Sequence, residues 1–215
     1  MANRMLFSTR RDAGNQLIDI LPISQMKKES WIIMAVTRDG LDIAHVIAQK
    51  ADLNVNIILT EPIMAPNNSE CEIARVSETE EIVIHEKLVE QFGIQTDFIY
   101  GEAHRKHEEK ILSQIYRFRK GEKICELENQ NVLLVDSGAG SGLLIETALK
   151  TVMSLGVRHV RVAIPVMPLD LFEFVGTQVD EVFCLYKFED FTQTEQYYQE
   201  EKSLSDDEIE KLLKY

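Results

Sequence analysis

The chain has 215 residues, of which 45% are apolar and 27% charged. Both fractions are typical of soluble globular proteins, so a wholly disordered chain is excluded. The 36 acidic residues outnumber the 23 lysines and arginines and give a net charge of −13. This balance is the reverse of what non-specific binding to nucleic acids or anionic membranes requires, and we expect no partner of either class.

Neither a signal peptide nor a membrane-spanning helix is expected from the sequence. The longest continuous apolar runs, 31–36 and 162–167, have six residues each, whereas a spanning helix needs about 20. The three cysteines, Cys71, Cys125 and Cys184, are odd in number and far apart, which disfavours a disulfide framework and a zinc site. These features predict a cytoplasmic location, and no metal-ligating residue is assigned.

Short apolar runs alternate with helical patterns along the first half of the chain. The pattern predicts a helix, a strand, a helix and a strand over 11–21, 31–36, 41–51 and 55–59. The segment 60–84 contains Pro and Asn residues before an alternating stretch, and it predicts a loop with one or two short strands outside the main sheet. Two further helices are predicted over 86–92 and 96–119.

The second half repeats the alternation. It predicts a strand, a helix, a strand, a short helix and a strand over 131–135, 143–155, 159–166, 169–175 and 180–185. An acidic tail from about 188 to 215 ends in a helical stretch, where Ser205 and Glu208 match a capping box. The whole pattern predicts an α/β fold with a doubly wound, mainly parallel five-stranded core sheet and helices on both faces. We interpret 1–215 as a single domain with a small hood from about 60–84 plus flanking segments.

Two loops of this predicted sheet are candidate ligand sites. In doubly wound sheets, ligands bind at the carboxyl ends of the strands, where the segments 37–40 and 136–142 follow apolar runs. The second segment, Asp-Ser-Gly-Ala-Gly-Ser-Gly, has three glycines that allow positive φ and close backbone approach. Its N–H groups and the dipole of the following helix would make an anion cradle, and the alternative is a tight turn without a ligand.

The residues around the glycine-rich loop discriminate between classes of anion site. A Walker loop is excluded, because Leu143 and Leu144 follow it instead of Lys and Ser or Thr. A Rossmann dinucleotide site is disfavoured, because the next predicted strand ends without an acid. The loop also resembles the first motif of S-adenosylmethionine-dependent methyltransferases, which stays a remote alternative because the same acid is missing and only 73 residues follow Gly142.

The segment VLLVDSGAGSGLLIETAL (132–149) resembles in layout the site of type I phosphoribosyltransferases. Four other blocks, at 7–21, 35–55, 61–79 and 180–185, are similar to a family of bacterial predicted phosphoribosyltransferases. The resemblance extends over nearly the whole chain, and the first and last blocks are more specific to that family than the glycine loop. It implies the type I phosphoribosyltransferase fold, and a single phosphoribosyltransferase-like domain.

Carried over residue by residue, the resemblance places the site in two segments. Asp136 matches the first of two acids that meet the ribose of phosphoribosyl pyrophosphate (PRPP), and it is implied as the catalytic residue. The implied ribose and 5′-phosphate ligands are Asp136, Ser137, Gly138, Ala139, Gly140, Ser141 and Gly142. The implied pyrophosphate loop consists of Thr37, Arg38, Asp39 and Gly40.

Three positions depart from the family pattern. Ser137 replaces the second acid, Leu144 replaces a Thr that usually closes the phosphate cradle, and Asp39 interrupts an Arg-Gly-Gly sequence. A serine hydroxyl can bond a ribose hydroxyl but cannot offset the positive charge of an oxocarbenium-like transition state. A carboxylate at Asp39 aimed inward would repel pyrophosphate by about 4 kcal/mol for unit charges 4 Å apart at an effective dielectric of about 20, whereas one aimed outward would be harmless.

The long predicted helix over 96–119 carries several charged side chains near its end. They either supply positive charge over the site or form a solvated face, and the set is Arg105, Lys106, Lys110, Arg117, Arg119 and Lys120. His104 and His107 are three residues apart, but a zinc site is disfavoured because no further ligands accompany them.

The resemblance implies an enzyme that transfers ribose 5-phosphate from PRPP to a nitrogenous acceptor and releases pyrophosphate. Mg²⁺ is the implied cofactor, held mainly by substrate oxygens rather than by a protein cage. The three departures leave a second class open, a non-catalytic PRPP- or nucleotide-binding regulatory protein on the same fold. The expected partner is a small molecule, PRPP or a nucleotide, and a homodimer is also expected.

Overall fold

The computed structural model describes residues 5–140, 142–200 and 203–213. In chain order its elements are α1 (Arg10–Ile18), α2 (Ile23–Lys28), β1 (Ile32–Ala35), α3 (Arg38–Ala51), β2 (Val55–Ile57), β3 (Thr60–Ala65), β4 (Asn68–Ser77), β5 (Ile82–Ile84), α4 (Glu86–Gln91), α5 (Thr96–Lys106), a π-helical turn (His107–Ile111), α6 (Leu112–Arg119), β6 (Asn131–Val135), α7 (Gly142–Ser154), β7 (His159–Pro168), α8 (Leu169–Gly176), β8 (Glu181–Phe188), a 3₁₀ turn (Thr194–Tyr197) and α9 (Asp206–Leu212). Among these helices, none is both long enough and apolar enough to cross a membrane.

Contacts between residues divide the chain into two compact units. The first contains the described residues of Met1–Ile57, Cys125–Gly142 and Leu155–Tyr215. The second contains Ile58–Ile124 and Leu143–Ser154. The interpretation of 1–215 as one domain with a hood stays a prediction.

The first unit is built on a five-stranded sheet in the order β2-β1-β6-β7-β8. All four pairings in this sheet are parallel. The chain proceeds outward in one direction from β1 to β2 and in the other from β6 through β7 to β8. Because parallel crossovers are right-handed, α3 and α8 lie on opposite faces, and the switch of direction falls between β1 and β6. This doubly wound parallel sheet confirms the predicted fold class.

The burial pattern explains why these segments form the centre of the sheet. All five residues of β6 are buried, as expected of a central parallel strand covered on both faces. In α3 the buried residues include Leu41, Ala44, Ile47 and Ala51, spaced three or four apart, so one face of the helix packs on the core. The apolar side of α1 packs closely against α3 at Gly14, where an added Cβ atom would lie only 3.3 Å from the Cβ of Val46.

The second unit contains a separate antiparallel sheet in the order β3-β4-β5. The pairing of β3 with β4 shifts register on both sides of Met64, which marks an irregularity at the end of β3. The sequence predicts one or two short strands here, whereas the structure has three. The difference arises because β4 is ten residues long and pairs on both of its edges, and this pairing recruits the short segment 82–84 as a strand.

Candidate functional site

The two predicted ligand segments begin side by side at the switch of the first unit's sheet. Thr37 follows β1, and Asp136 follows β6, its neighbour. The hydroxyl group of Thr37 donates a hydrogen bond to Oδ1 of Asp136. The structure therefore brings together, through one direct bond, the two segments that the sequence assigns to one site.

Thr37 also begins the next helix. Its side chain accepts a 2.9 Å hydrogen bond from the backbone N–H of Gly40, which makes Thr37 the N-cap of α3. Arg38, Asp39 and Gly40 therefore form the first turn of α3, which begins three residues before the predicted start at 41. The segment predicted as a pyrophosphate loop is an N-cap followed by a helical turn, and its role as a pyrophosphate ligand stays a prediction.

Gly40 is required by the close approach of these two segments. A Cβ atom at this position would lie 2.8 Å from the carbonyl oxygen of Val135 and 2.9 Å from the Cα of Asp136. Both atoms belong to the backbone, which cannot move aside cheaply, so a larger residue would push α3 away from the end of β6. The glycine thus holds the first turn of α3 against Asp136.

Asp39, the departure in the first segment, is paired with an arginine from α1. Its Oδ2 atom lies 2.6 Å from Nη2 of Arg10, whose side chain is 5% exposed. The hydroxyl of Ser203 also donates to Oδ2 of Asp39, at 3.4 Å. The sequence leaves open whether this carboxylate is aimed toward or away from a bound pyrophosphate; in the structure the positive charge of Arg10 offsets its own charge.

Asp136 is buried at the carboxyl end of β6, with 2% of its surface exposed. Its Oδ1 atom accepts hydrogen bonds from the Thr37 hydroxyl and, at 2.7 Å, from the N–H of Ser137. Ser137 is 5% exposed. In this state the carboxylate links the two segments through its Oδ1 atom.

The backbone N–H groups in the described part of the glycine-rich loop differ in their hydrogen bonding. The N–H of Ala139 donates to the carbonyl oxygen of Val166 on β7, at 3.3 Å. Within the part of the chain that the structure describes, the N–H groups of Gly138 and Gly140 have no acceptor. These two donors are available to an anion. Ser141, the predicted phosphate-binding hydroxyl, lies outside the described residues, and Gly142 is the first residue of α7.

Close approach, and not positive φ, explains one glycine of this loop, Gly138. Positive φ among the described glycines occurs at Gly93, Gly121 and Gly156, none of which is in the loop. A Cβ atom on Gly138 would lie 2.5 Å from Cγ2 of Thr194 and 2.7 Å from its Oγ1. Gly138 therefore has a packing role that is independent of any ligand.

The segment that follows β8 covers the glycine-rich loop, which sequence reasoning missed. Besides Thr194, the hydroxyl of Tyr198 donates a 2.6 Å hydrogen bond to the carbonyl oxygen of Ser137. Burial raises the pKa of Tyr198 above its ordinary value, and the nearby carboxylate of Asp136 adds to the effect. The phenol therefore stays protonated at neutral pH and acts as a donor.

This covering segment is anchored to the beginning of the chain. Tyr198 forms an isolated parallel bridge with Phe7, and their rings lie 5.2 Å apart. The guanidinium of Arg10 lies 5.3 Å from the centre of the Tyr198 ring, which suits a cation–π contact. The concentration of aromatic residues at 183–198 is the one sequence signal that could have indicated a packed segment here.

Arg38, the implied pyrophosphate ligand, forms an ion pair with Asp206. Asp206 is the first residue of α9, and Ser205 and Glu208 form the capping box that the sequence predicts for this helix. The side chain of Arg38 is 44% exposed and that of Asp206 is 28% exposed. The acidic tail therefore lies directly beside the first turn of α3.

Two arginines of the predicted basic set, Arg105 and Arg119, form ion pairs within the second unit. Arg105 pairs with Glu102 and Glu109 along its own helix, at 2.7 Å in each case. Arg119 pairs with Glu78, and both side chains are almost fully buried. These contacts favour the interpretation that the charged face is structural or solvated over the one in which it serves a ligand.

Comparisons with known proteins agree with this arrangement. The chain is 25% identical over 209 residues to a protein named "Putative phosphoribosyl transferase" in two strains of Mycobacterium tuberculosis. The matched region is 97% of this chain and 46% of the relatives, so the chain spans about half the length of the curated relatives it matches. The solved structure of TT1426 from Thermus thermophilus has a TM-score of 0.78 and 26% identity, covering 97% of this chain and 98% of that one. No protein-family profile matches the chain.

The names of these relatives agree with the resemblance to phosphoribosyltransferases that the sequence motifs predict. The similarity to TT1426 extends over the full length of both chains and supports the observed fold. Neither comparison tests which residues bind a ligand, so the assigned roles of 37–40 and 136–142 stay predictions.

Proposed function

We propose that this chain binds PRPP at the switch of its parallel sheet and transfers the phosphoribosyl group to a nitrogen nucleophile. The observation that carries the proposal is the hydrogen bond between Thr37 and Asp136. It joins the two segments whose sequences resemble the pyrophosphate and ribose-phosphate motifs of phosphoribosyltransferases. The named relatives support the general class, and the substrate and reaction are proposed here.

In the proposed complex, each segment has a separate task. The N–H groups of Gly138 and Gly140 would bind the 5′-phosphate, together with the hydroxyl of Ser141. Arg38 would bind the pyrophosphate through its planar guanidinium. Asp136 would accept a hydrogen bond from a ribose hydroxyl and would offset positive charge that develops on the ribose.

The reaction breaks the bond between C1 of the ribose and the pyrophosphate oxygen, which leaves with the electron pair. A bond from the acceptor nitrogen to C1 forms, and the nitrogen then loses its proton to water. Within the described residues, no group of three or more His, Cys, Asp or Glu side chains is placed to hold a metal ion. Mg²⁺, the proposed cofactor, would be held mainly by PRPP oxygens and would neutralise part of the charge of the pyrophosphate.

A second candidate function, a PRPP- or nucleotide-binding regulator without turnover, is favoured by one observation. Asp136 is almost fully buried and already accepts two hydrogen bonds, and the neighbouring position that would hold a second acid is Ser137. A site with one carboxylate in place of two can bind a phosphorylated ribose while providing less of the negative charge that offsets the charge developed in bond cleavage.

The proposed location and assembly rest on other features. None of the three cysteines, all of which the structure describes, forms a disulfide, which is the usual state in a reducing cytoplasm. The proposed compartment is the cytoplasm, and the proposed assembly is a homodimer. Gel filtration with light scattering measures the oligomeric state directly.

Two measurements separate the functions. Calorimetric titration with PRPP and Mg²⁺ tests binding, and a pyrophosphate-release assay over a panel of purine, pyrimidine and amine acceptors tests turnover. Binding with turnover supports the transferase, and binding without turnover across the panel supports the regulator. If PRPP does not bind but S-adenosylmethionine does, the methyltransferase alternative replaces both.

Two variants locate the bound ligand. Asp136→Asn is expected to weaken PRPP binding through the lost ribose contact while leaving inorganic phosphate bound. Ser141→Ala is expected to weaken phosphate binding by about 1–2 kcal/mol, because one hydroxyl donor is removed. If Asp136→Asn leaves PRPP affinity unchanged and Ser141→Ala leaves phosphate affinity unchanged, the site assignment is wrong.

A further inference from the structure

The ion pair between Arg38 and Asp206 lies where the proposed pyrophosphate would bind. Arg38 is in the first turn of α3, and Asp206 is the first residue of α9, 168 residues later in the chain. A guanidinium presents the same planar set of N–H donors to a carboxylate and to a phosphate. The carboxylate of Asp206 and a pyrophosphate oxygen are therefore alternative occupants of the same donors.

The fold of α9 keeps Asp206 beside Arg38, so the position of Asp206 does not depend on the ion pair alone. The capping box of Ser205 and Glu208 fixes the beginning of the helix. Ile209 is fully buried and Leu213 is 6% exposed, so the apolar side of the helix packs on the first unit. The Asp206 carboxylate thus has a high local concentration at Arg38 whether or not a ligand is present.

We propose that Asp206 is a specificity-determining residue that competes with the pyrophosphate group of a ligand for Arg38. This inference rests on the proposed function, because it takes Arg38 as the pyrophosphate ligand. A ligand with a single phosphate binds at the glycine-rich loop and leaves the ion pair in place. A ligand with a pyrophosphate group must displace the Asp206 carboxylate, and it loses part of its affinity in doing so.

The size of the effect follows from the exposure of the pair. Both side chains are partly exposed, and ion pairs of this kind contribute about 0.2–1 kcal/mol. Removing the competing carboxylate should therefore tighten pyrophosphate binding by about 1.4- to five-fold, since a tenfold change corresponds to about 1.4 kcal/mol. The gain should fall as the salt concentration rises, because exposed charges are screened.

The experiment compares three ligands on three proteins by calorimetry in the presence of Mg²⁺. The ligands are pyrophosphate, PRPP and ribose 5-phosphate, and the proteins are the wild type, Asp206→Asn and Asp207→Asn. Asp207 is the matched control, because it lies in the same first turn of α9, is exposed and carries the same charge. Circular dichroism melting curves check that each variant is folded, and Asp206→Ser replaces Asp206→Asn if the latter is not.

Asp206→Asn is expected to tighten the binding of pyrophosphate and PRPP by about 1.4- to five-fold and to leave the binding of ribose 5-phosphate unchanged. Asp207→Asn should change none of the three. Introducing Arg38→Gln into both the wild type and Asp206→Asn should abolish the difference between them, because the competition needs the arginine.

Three outcomes overturn the inference. If Asp206→Asn leaves pyrophosphate affinity unchanged while the wild type binds it, Asp206 does not compete and the proposed function still stands. If Asp207→Asn or ribose 5-phosphate shows the same gain, the effect is one of overall charge. If none of the proteins binds pyrophosphate or PRPP at millimolar concentration, the proposed function fails and the inference fails with it.

Discussion

The phenol of Tyr198 and the backbone carbonyl of Ser137 are joined by a hydrogen bond of 2.6 Å, in which the tyrosine donates. Tyr198 is 3% exposed, so this bond lies in the interior of the first unit. Ser137 is also the residue whose N–H donates to Asp136. The tyrosine therefore supports the backbone on which the candidate catalytic carboxylate depends.

Replacing Tyr198 with phenylalanine is expected to destabilise the protein by about 1–2 kcal/mol. The variant removes the hydroxyl and leaves the Ser137 carbonyl buried without its donor, while the ring contacts with Phe7 remain. Urea unfolding followed by circular dichroism measures the loss. Tyr116→Phe is the control, since Tyr116 is 75% exposed and should change stability by less than about 0.5 kcal/mol. A loss no larger than that of the control would show that the bond contributes nothing.

The raised pKa of Tyr198 predicts that the free energy of unfolding falls at alkaline pH. Because the pKa of Tyr198 is raised in the folded state, chiefly by burial, the protonated phenol stabilises the fold fully below the ordinary tyrosine pKa of 10. That stabilisation is lost as the pH rises from about 10 toward the raised pKa. Unfolding free energies at pH 8 to 11 should fall more steeply for the wild type than for Tyr198→Phe. Parallel curves for the two proteins would contradict the prediction.

A methyl group on Gly138 is expected to push the covering segment away from the loop. Gly138→Ala would place a Cβ 2.5 Å from Cγ2 of Thr194, and overpacking of this kind costs about 1–3 kcal/mol. Gly140→Ala is the matched control, because its Cβ would meet Phe191 at an ordinary 3.6 Å. Thermal melting of both variants measures the difference.

The contact itself can be tested by a second substitution. Thr194→Ala removes the two atoms nearest to the added methyl group, so it should restore most of the stability of Gly138→Ala. If Gly138→Ala and Gly140→Ala melt at the same temperature, the close approach of Thr194 is not what requires the glycine.

The pair between Arg10 and Asp39 predicts a strong coupling in a double-mutant cycle. Arg10→Gln leaves a largely buried carboxylate without its 2.6 Å partner and is expected to cost about 3 kcal/mol. Asp39→Asn in the same chain removes the unpaired charge and should recover part of that loss. Unfolding free energies of the two single variants and the double variant give the coupling. Additive losses would show that the two side chains do not interact.

The sequence was sufficient to place the core sheet and to predict that the segments 37–40 and 136–142 lie at strand ends, which are adjacent in the structure; their role as ligand segments stays a prediction. The predicted strand 131–135 has the same bounds as β6. A continuous apolar run is typical of a central parallel strand buried on both faces, and the polar residues Asn131 and Asp136 mark its two ends. Strand β8 extends to Phe188, three residues beyond the predicted end, because pairing with the long strand β7 continues past the apolar run. Its end depends on a partner, which periodicity does not describe.

The partners within the site could not be predicted because they are distant in sequence. Tyr198 is 61 residues from Ser137, and Asp206 is 168 residues from Arg38. The adjacent residues Arg10 and Arg11 give a second example of partners that the sequence does not predict. They look equivalent in the sequence, yet Arg10 is buried against Asp39 while Arg11 is exposed and bonds Asp42. The side of α1 that packs on α3 decides which of the two arginines is buried, and the composition of the segment does not show which side that is.

One hydroxyl group serves both halves of the candidate site. Thr37 accepts from the N–H of Gly40 and donates to Asp136, so its position depends on both segments at once. A ligand that displaces Asp136 from this bond alters the cap of α3, and a ligand that grips the first turn of α3 alters the donor available to Asp136. Linkage makes such an effect reciprocal: the factor by which pyrophosphate changes the affinity for ribose 5-phosphate must equal the factor by which ribose 5-phosphate changes the affinity for pyrophosphate.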